Sequence, residues 1–503
     1  MRSGTGEDLK RYYPRLDREV AMRLVIVSNR VACPKGDEPI EGGLAAALLP
    51  AVKTSGAIWV GSSGRFTNPA DKESFAKVEA LGTGAVATID LPRDTYQKFY
   101  EGFANSALWP VLHSRTDLIR TDVEQYAAYR EINVLMARAV LRFSRPDSMF
   151  WIHDYHYLTL GSELRRLGID HPVGFFLHTP FPVRNTMVSL PHHRELVRAM
   201  LCYDLIGFQT DEDLANFADY LQQELGLTGT DTFTTQHGVT RLSTFPIGID
   251  VDSFAERAVK SAARPEVSRL RSSLQGARLV IGVDRVDYSK GLPNRLRAFD
   301  RMLQFQPALK RAVTLLQVAV PSRAKIDAYR QLQEELAALV GDINGRHSEV
   351  DWVPIRYLNK GFSQPKLAGL YRTARVGLVT PLNDGMNLVA KEYVAAQNPL
   401  DPGVLVLSKF AGAARQLDSA LLVNPHDIDA VARAISTGLS MQSEERRERW
   451  NAMMETLKSS SLKAWMNDFV SALAASPRTP QFGLAPDLEV EPPPRRRAEL
   501  TAI

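Results

Sequence analysis

The segment V-D-R-V-D-Y-S-K-G follows an apolar run in the second half of the chain and contains two cations. Arg285 and Lys290 lie there beside a glycine-containing turn. A guanidinium forms bidentate hydrogen bonds with phosphate oxygens and an ammonium acts as a compact point charge, so the pair suits a diphosphate leaving group. Such cations stabilise the charge that develops as the bond to phosphate breaks. The alternative interpretation is a solvated helix start with two surface cations.

A second candidate segment, P-L-N-D-G-M-N-L-V-A-K-E, also follows an apolar run and turns through Gly385 into a helical pattern. Free backbone amides at a helix N-terminus face anions or sugar hydroxyls. Asp384 can accept hydrogen bonds from sugar hydroxyls, and Glu392, two turns later, from a ribose diol. The competing interpretation makes Asp384 a helix N-cap and Glu392 a surface carboxylate.

The first half of the chain offers cationic and aromatic candidates. Arg30 ends the run V-I-V-S-N-R, and the turn E-G-G-L, which contains Gly43, follows it. The segment F-Y-E-G-F-A-N-S-A-L-W-P places Tyr100 and Trp109 in a polar stretch, where rings beside cations can wall a sugar-phosphate pocket. Core packing is the alternative for both rings.

Titratable groups also occur in W-I-H-D-Y-H and F-F-L-H-T-P-F-P, which both read as strand ends. Asp154 and His178 are the candidates for chemistry near the reacting sugars. The His-Asp-His triplet lacks the i, i+4 helical spacing of zincin sites. We therefore predict no metal ion.

These residues need a scaffold that gathers the ends of several strands. Short β-branched runs alternate with longer amphipathic segments, which predicts parallel sheets. The runs cover residues 24–28, 57–60, 149–153, 173–177, 205–208, 279–283, 313–318, 376–379 and 404–407. Open parallel sheets bind ligands beyond the carboxyl ends of their strands. The prediction is an α/β chain with two Rossmann-like, doubly wound domains facing a central cleft.

A length of 503 residues supports two separate cores. The predicted organisation is a flexible extension over 1–21, domains over 22–245 and 246–450, a helical segment over 451–476 that packs back on the first domain, and a disordered Pro/Arg tail over 477–503.

Composition narrows the class of protein. The formal net charge is only +4, so no field of one sign indicates a nucleic-acid partner. Two cysteines make no disulfide framework and are typical of a reducing compartment. No apolar run approaches the roughly 18–20 residues of a membrane span. We expect a cytoplasmic protein without a membrane partner, and the sequence leaves open whether it forms a homo-oligomer.

With these motifs in this order, the sequence resembles the trehalose-6-phosphate synthases, a family of retaining glycosyltransferases with the GT-B fold. The likeness runs from about residue 22 to the mid-470s and rests on S-N-R, G-G-L, N-S-A-L-W-P, H-D-Y-H, F-F-L-H-T-P-F-P, R-V-D-Y-S-K-G, P-S-R and D-G-M-N-L-V-A-K-E. It implies transfer of glucose from UDP-glucose to glucose 6-phosphate with retention, giving trehalose 6-phosphate and UDP, with no cofactor. The first domain would bind the acceptor and the second the nucleotide sugar.

The resemblance also implies individual roles. The residues that would bind the donor are Gly43, Arg285, Lys290, Asp384, Gly385, Met386, Asn387, Leu388, Val389 and Glu392. The residues that would bind the acceptor are Arg30, Tyr100, Trp109, Asp154 and Arg323. The catalytic candidates are Arg285, Lys290, His178 and Asp154. No motif presents the two close carboxylates of a retaining glycosidase. The resemblance implies instead the family's front-face route, in which the departing phosphate takes the acceptor proton.

Two positions depart from the family pattern. Ser62 stands where many relatives have a second tryptophan, which weakens the case for acceptor binding, and Asn383 stands where relatives often have arginine. The alternatives that stay open are a related GT-B transferase or pseudo-glycosyltransferase with another phosphorylated acceptor, and a non-catalytic sugar-phosphate sensor. The choice among UDP, GDP and ADP is open as well.

Overall fold

The computed structural model describes residues 22–31, 48–49, 52–67 and 77–477. The predicted extension over 1–21, the predicted donor residue Gly43, and the predicted tail apart from Pro477 lie outside the described residues.

The first half of the chain builds one sheet, in which the described residues form nine strands in the order β3-β4-β2-β1-β5-β6-β7-β9-β8. The strands are β1 (Arg23–Arg30), β2 (Ile58–Phe66), β3 (Lys77–Leu81), β4 (Gly84–Leu91), β5 (Ser148–His153), β6 (Val173–Phe176), β7 (Leu205–Phe208), β8 (Thr232–Thr235) and β9 (Gly238–Thr244). Neighbours run parallel except in the antiparallel pairs β3–β4 and β8–β9. Strands β5, β6 and β7 are buried throughout because helices cover both faces of the sheet.

The second half builds a parallel sheet with the order β12-β11-β10-β13-β14-β15. Its strands are β10 (Arg278–Arg285), β11 (Val313–Val320), β12 (Ile355–Leu358), β13 (Val376–Val379), β14 (Val404–Ser408) and β15 (Leu421–Val423). The strand order reverses beside β1 in the first sheet and beside β10 in the second. Doubly wound folds open a crevice for ligands at such a reversal. The predicted α/β class with two parallel sheets is confirmed.

Helices follow most strands, as the apolar periodicity predicts. Their bounds are Arg93–Gln97, Lys98–Leu108 (π-type), Trp109–Leu112, Val123–Leu141, Leu160–Arg166, Arg184–Met187, His193–Met200, Asp211–Leu225, Val251–Ser261, Pro265–Ser273, Leu292–Phe305, Asp327–His347, Gln364–Thr373, Leu388–Ala396, Ile428–Ser440, Ser443–Ser459 and Leu462–Ala474, with 3₁₀ turns at Thr116–Leu118, Tyr155–Tyr157, Tyr288–Lys290, Pro307–Leu309 and Gly412–Arg415. Within the described ranges, no helix is long and apolar enough to cross a bilayer.

The helix Leu462–Ala474 packs on the first sheet although it follows the second sheet in the chain. The Phe469 ring stacks on Trp151 of β5 with 4.5 Å between ring centroids. A Cβ on Gly174 would lie 2.9 Å from an atom of that ring, and a Cβ on Gly207 would lie 2.8 Å from one. Glycine in β6 and β7 therefore makes the room that Phe469 occupies.

Candidate active site

The carboxylate of Asp287 joins the two halves of the molecule. Asp287 follows β10 and caps the 3₁₀ turn Tyr288–Lys290 by accepting the Ser289 N–H at 3.0 Å. Its Oδ2 accepts a hydrogen bond from Arg323 Nη1 at 3.1 Å, and its Oδ1 accepts a longer one from the indole Nε1 of Trp109 at 3.4 Å. One fully buried side chain of the second half thus fixes a cation of its own half and an aromatic wall of the first half.

Asp287 stays ionised because cations surround it. Burial alone would favour the protonated form, but Arg323, Arg285 and Lys290 hold the pKa of this carboxyl well below its usual range. The arrangement is a cluster of positive charge organised around one permanent anion.

Two guanidinium groups of this cluster lie over the face of the Trp109 ring. Arg323 is 3.9 Å and Arg285 is 5.6 Å from the ring centroid. Arg323 also donates to the Tyr155 hydroxyl at 3.1 Å, and only 5% of its side chain is exposed. The Arg285 side chain is 43% exposed, so its guanidinium is accessible to a ligand.

Lys290 is buried, which excludes the solvated-cation interpretation for this residue. Its Nζ donates to Asp384 Oδ2 at 2.6 Å, and the Asn387 amide donates to the same oxygen at 2.9 Å. The N-cap of the helix Leu388–Ala396 is Asn387, whose Oδ1 accepts the Ala390 N–H. The alternative that made Asp384 the N-cap is therefore wrong.

The turn at Gly385 lies directly against the end of β6. A Cβ at Gly385 would overlap the carbonyl oxygen of His178, and one at Gly412 would overlap the carbonyl oxygen of Gly385. Glycine is needed at both positions because the colliding atoms belong to backbone, which cannot move aside. This close approach brings Asp384 and His178, from different sheets, to the same crevice.

The ring of His178 is held by protein groups at both nitrogens. Gln209 Oε1 accepts the Ile247 N–H at 3.0 Å, so the Gln209 amide nitrogen faces His178 Nδ1, at 3.4 Å. We therefore assign the His178 proton to Nε2, which lies 3.0 Å from His153 Nδ1. Burial lowers the pKa of His178 to about 3, so the ring is neutral at physiological pH.

Asp154 lies just beyond β5 with a positive φ of 74°, an unusual backbone conformation for a residue with a side chain. Its Oδ1 accepts a hydrogen bond from the backbone N–H of His178 at 3.3 Å. Burial raises the pKa of Asp154 to about 6, although backbone hydrogen bonds, Arg285 and Arg323 oppose the rise. This carboxyl changes charge close to physiological pH.

The remaining first-half candidates stand at the ends of β1 and β2 and in the helix Lys98–Leu108. Arg30 is exposed, and its guanidinium lies beside Gly64, at 2.9 Å from the position of a Cβ. The Ser62 hydroxyl accepts the Gly64 N–H at 3.1 Å, so this residue organises the turn under Arg30 rather than supplying an aromatic wall. The Tyr100 ring stacks on His156 with 5.8 Å between centroids.

The nucleotide side of the predicted site follows β13. Met386 is buried, and Leu388 and Val389 are half-buried at the start of their helix. Glu392 is half-buried too, and burial raises its pKa to about 7, opposed by Arg257 and the Tyr371 hydroxyl. Glu392 is therefore not a solvated surface carboxylate.

The structure brings many of the predicted site residues into contact, but not all of them. Direct contacts connect Arg285, Arg323 and Trp109, then Lys290 and Asp384, then Asp154, His178 and Gly385. Among the described residues, no hydrogen bond or ion pair joins Arg30 or Glu392 to this group. In the same ranges, no group of three or more His, Cys, Asp or Glu side chains could hold a metal ion.

Sequence reasoning missed Asp287, Tyr155 and Gln209. Asp287 lies inside a segment that we quoted, between Arg285 and Lys290. A carboxylate between two predicted phosphate-binding cations is itself a signal, because closely spaced cations need a fixed counter-charge.

Comparison with known proteins assigns the chain to one family. The model of Glycosyltransferase family 20 matches residues 23–475. The trehalose-6-phosphate synthase of Sinorhizobium fredii is 44% identical over 458 residues, which is 90% of this chain and 98% of that relative.

Solved structures agree with this match. The crystal structure of an alpha,alpha-trehalose-phosphate synthase (UDP-forming) from Burkholderia xenovorans in complex with glucose-6-phosphate has a TM-score of 0.87 and 43% identity, covering 90% of this chain and 100% of that one. A structure from E. coli bound with UDP-2-fluoro glucose has a TM-score of 0.85 and 39% identity, covering 90% and 99%. The predicted GT-B arrangement is confirmed, and this chain belongs to glycosyltransferase family 20.

Proposed function

We propose that this chain transfers glucose from UDP-glucose to glucose 6-phosphate with retention at the anomeric carbon, forming trehalose 6-phosphate and UDP. The observation that carries the proposal is the shared crevice, in which Arg285, Lys290 and Arg323 face Trp109 and Asp154. The two ligands are those bound in the Burkholderia xenovorans and E. coli structures, the second as a fluoro analogue.

The donor diphosphate would be held by Arg285 and Lys290. Arg285 is accessible and presents a fork of N–H donors, while Lys290 is buried and held by Asp384. A cation fixed in advance stabilises leaving-group charge without reorganising during the reaction. The turn at Gly385 and the amides that follow it would then hold the glucose, with Glu392 on the ribose.

The acceptor would lie on the first-half side of the crevice. Arg323 and Arg30 would bind its phosphate, with Tyr100 and Trp109 as walls and Asp154 on its hydroxyls. Asp287 fixes the Arg323 guanidinium in place before the phosphate arrives. Of these groups, Arg30 is the exposed one and needs the least reorganisation to reach solvent-borne phosphate.

The bond changes follow from the groups present. The acceptor hydroxyl attacks the anomeric carbon on the face from which UDP departs, the carbon–oxygen bond to the diphosphate breaks, and the leaving phosphate oxygen takes the hydroxyl proton. Asp384 is a poor nucleophile for an alternative double displacement, because Lys290 and Asn387 both bond its Oδ2. Retention therefore rests on the cations around the leaving group.

We assign the acceptor to residues 22–245, the nucleotide sugar to 246–450, and the helical segment 451–476 to the first domain. We further propose a cytoplasmic location. Cys202 is a free, buried thiol, which suits a reducing compartment.

The decisive assay incubates the protein with glucose 6-phosphate and UDP-, GDP- or ADP-glucose, followed by mass and anomeric NMR analysis of the product. We expect an α,α-linked disaccharide phosphate, with UDP released. A product of inverted configuration, or none with any donor, would contradict the proposal. A product only with another sugar phosphate would favour the related-transferase alternative.

Replacing Lys290 with alanine tests the leaving-group role. We expect kcat to fall by roughly 10²–10³-fold, the size of effect seen when one preorganised donor is removed. Lys458→Ala, at an exposed position on the helix Ser443–Ser459, is the matched control and should keep wild-type kcat. Near-normal turnover in Lys290→Ala would remove this residue from the mechanism.

A further inference from the structure

A second cavity lies between the two halves of the molecule. It has a volume of about 570 Å³ and lies open to solvent between the helix Lys98–Leu108 and the start of the helix Asp327–His347. Small-molecule sites usually enclose roughly 300–1,000 Å³. None of the described donor or acceptor residues lines this cavity.

The charges in the cavity wall cancel. Its charged lining residues are three cations and three carboxylates: Lys98, Arg120, Lys325, Asp94, Glu101 and Asp327. Lys325 pairs with Glu101 at 2.8 Å and Lys98 with Asp94 at 3.1 Å. Amides and hydroxyls supply most of the other polar lining, so the wall suits an uncharged ligand with many hydroxyl groups.

One buried acceptor in this wall lacks a partner. Gln125 Oε1 has no hydrogen bond to any described residue. Gly102 lies under it, with a Cβ position 2.9 Å from that oxygen, and leaves helical geometry with a ψ of −106°. A buried acceptor without a partner costs about 1–3 kcal/mol. A ligand hydroxyl would recover this free energy once the Gln125 amide turns toward the cavity that the side chain lines.

We propose that this cavity binds a small, uncharged, polyhydroxylated molecule, a sugar or polyol no larger than a disaccharide. Because the first half supplies one wall and the second half the other, the ligand bridges them and favours the arrangement in which they face each other. That is also the arrangement in which Trp109 reaches Asp287.

A short chain of hydrogen bonds leads from the cavity to the acceptor side of the crevice. Asn105 lines the cavity, and its Oδ1 accepts the Tyr155 hydroxyl at 2.7 Å. The Tyr155 oxygen in turn accepts from Arg323 at 3.1 Å. A ligand packed against Asn105 therefore lies two hydrogen bonds from Arg323, and we expect it to lower the apparent KM for the phosphorylated acceptor with little change in kcat.

The test is calorimetric titration with glucose, trehalose and sorbitol as probes, in the presence of saturating UDP and glucose 6-phosphate, which occupy the crevice and cannot react. We expect at least one probe to bind. Ala328→Trp fills the cavity and should weaken that binding at least tenfold. Ala338→Trp, on the exposed side of the same helix, should leave it unchanged.

Gln125→Leu provides a second variant in case the tryptophan disturbs folding, because it removes an unpaired acceptor and should keep the melting temperature. We expect it to weaken binding too. No binding by any probe, binding that UDP and glucose 6-phosphate abolish, or binding that both cavity variants retain would each overturn the proposal. None of these outcomes depends on turnover, so they are separate from failure of the proposed function.

Discussion

At the scale of single residues, the crevice depends on a buried anion as much as on its cations. Asp287 lies among Arg323, Arg285 and Lys290, which would otherwise repel one another in a site of low dielectric constant. Removing one partner of a buried ion pair is costly because it leaves the other charge without compensation. The cations that we propose bind phosphate are therefore held together by a carboxylate.

We predict that Asp287→Asn lowers the free energy of unfolding by about 3–5 kcal/mol. The variant keeps the shape of the side chain but leaves Arg323 and Arg285 without their carboxylate partner. Added inorganic phosphate should raise its melting temperature more than that of the wild type, since an anion replaces the missing charge. Thermal unfolding with and without phosphate checks this, with the exposed Asp418→Asn as control. Equal phosphate effects in variant and wild type would contradict it.

The raised pKa of Glu392, about 7, predicts a pH dependence of donor binding. As pH falls through this value, the carboxylate gains a proton and loses the charge with which, in the proposed role, it would accept hydrogen bonds from the ribose diol. We expect the KM for UDP-glucose to rise below pH 7 in the wild type and to lose this dependence in Glu392→Gln. Steady-state kinetics between pH 5.5 and about 8.5 checks the prediction. A profile that is the same in both proteins would exclude Glu392 as its source.

At the scale of elements, the turn around Gly385 seats the second sheet's loop on the backbone of the first. The contact is between main-chain atoms, so its geometry cannot adapt through side-chain rotation. This turn sets the relative position of Asp384 and the end of β6.

We predict that Gly385→Ala lowers kcat/KM by roughly 10²-fold, the effect of a displacement of about 1 Å in a positioned site. Gly361→Ala is the matched control, because its Cβ would meet no heavy atom closer than 3.5 Å. Both variants should keep wild-type far-UV circular dichroism. Full activity in Gly385→Ala would mean that the loops do not touch during turnover.

The strands that the apolar runs predict are all present. Sequence reasoning missed β3, β4, β8, β9, β12 and β15, and for two of these, β3 and β8, the structure gives a shared physical reason. β3 is exposed along most of its length, and β8 is largely polar. Each is held by antiparallel pairing with its neighbour in the chain rather than by burial, so hydrophobic patterning carries no trace of it. The contacts of Asp287 were hidden in a similar way, because its partners Arg323 and Trp109 lie 36 and 178 residues away in the sequence.

At the scale of the whole molecule, the helix Leu462–Ala474 ties the end of the second half to the first sheet. Phe469 fills the space above Gly174 and Gly207 and is fully buried. The two halves are thus connected by this helix as well as by the crevice between them.

We predict that Phe469→Ala lowers the free energy of unfolding by about 3–5 kcal/mol, because it leaves a large cavity on the first sheet. Asp468→Ala, at the exposed neighbouring position, should change it by less than about 0.5 kcal/mol. Urea denaturation followed by tryptophan fluorescence measures both. Equal midpoints for the two variants would show that the helix does not stabilise the first sheet.

The returning helix also constrains how the chain is made. During synthesis, the first sheet can pair its strands soon after Thr244 leaves the ribosome, yet the surface around Trp151 stays uncovered until residue 474 has emerged. A nascent chain therefore carries an apolar face through translation of the entire second half, which is the period when chaperones would engage it.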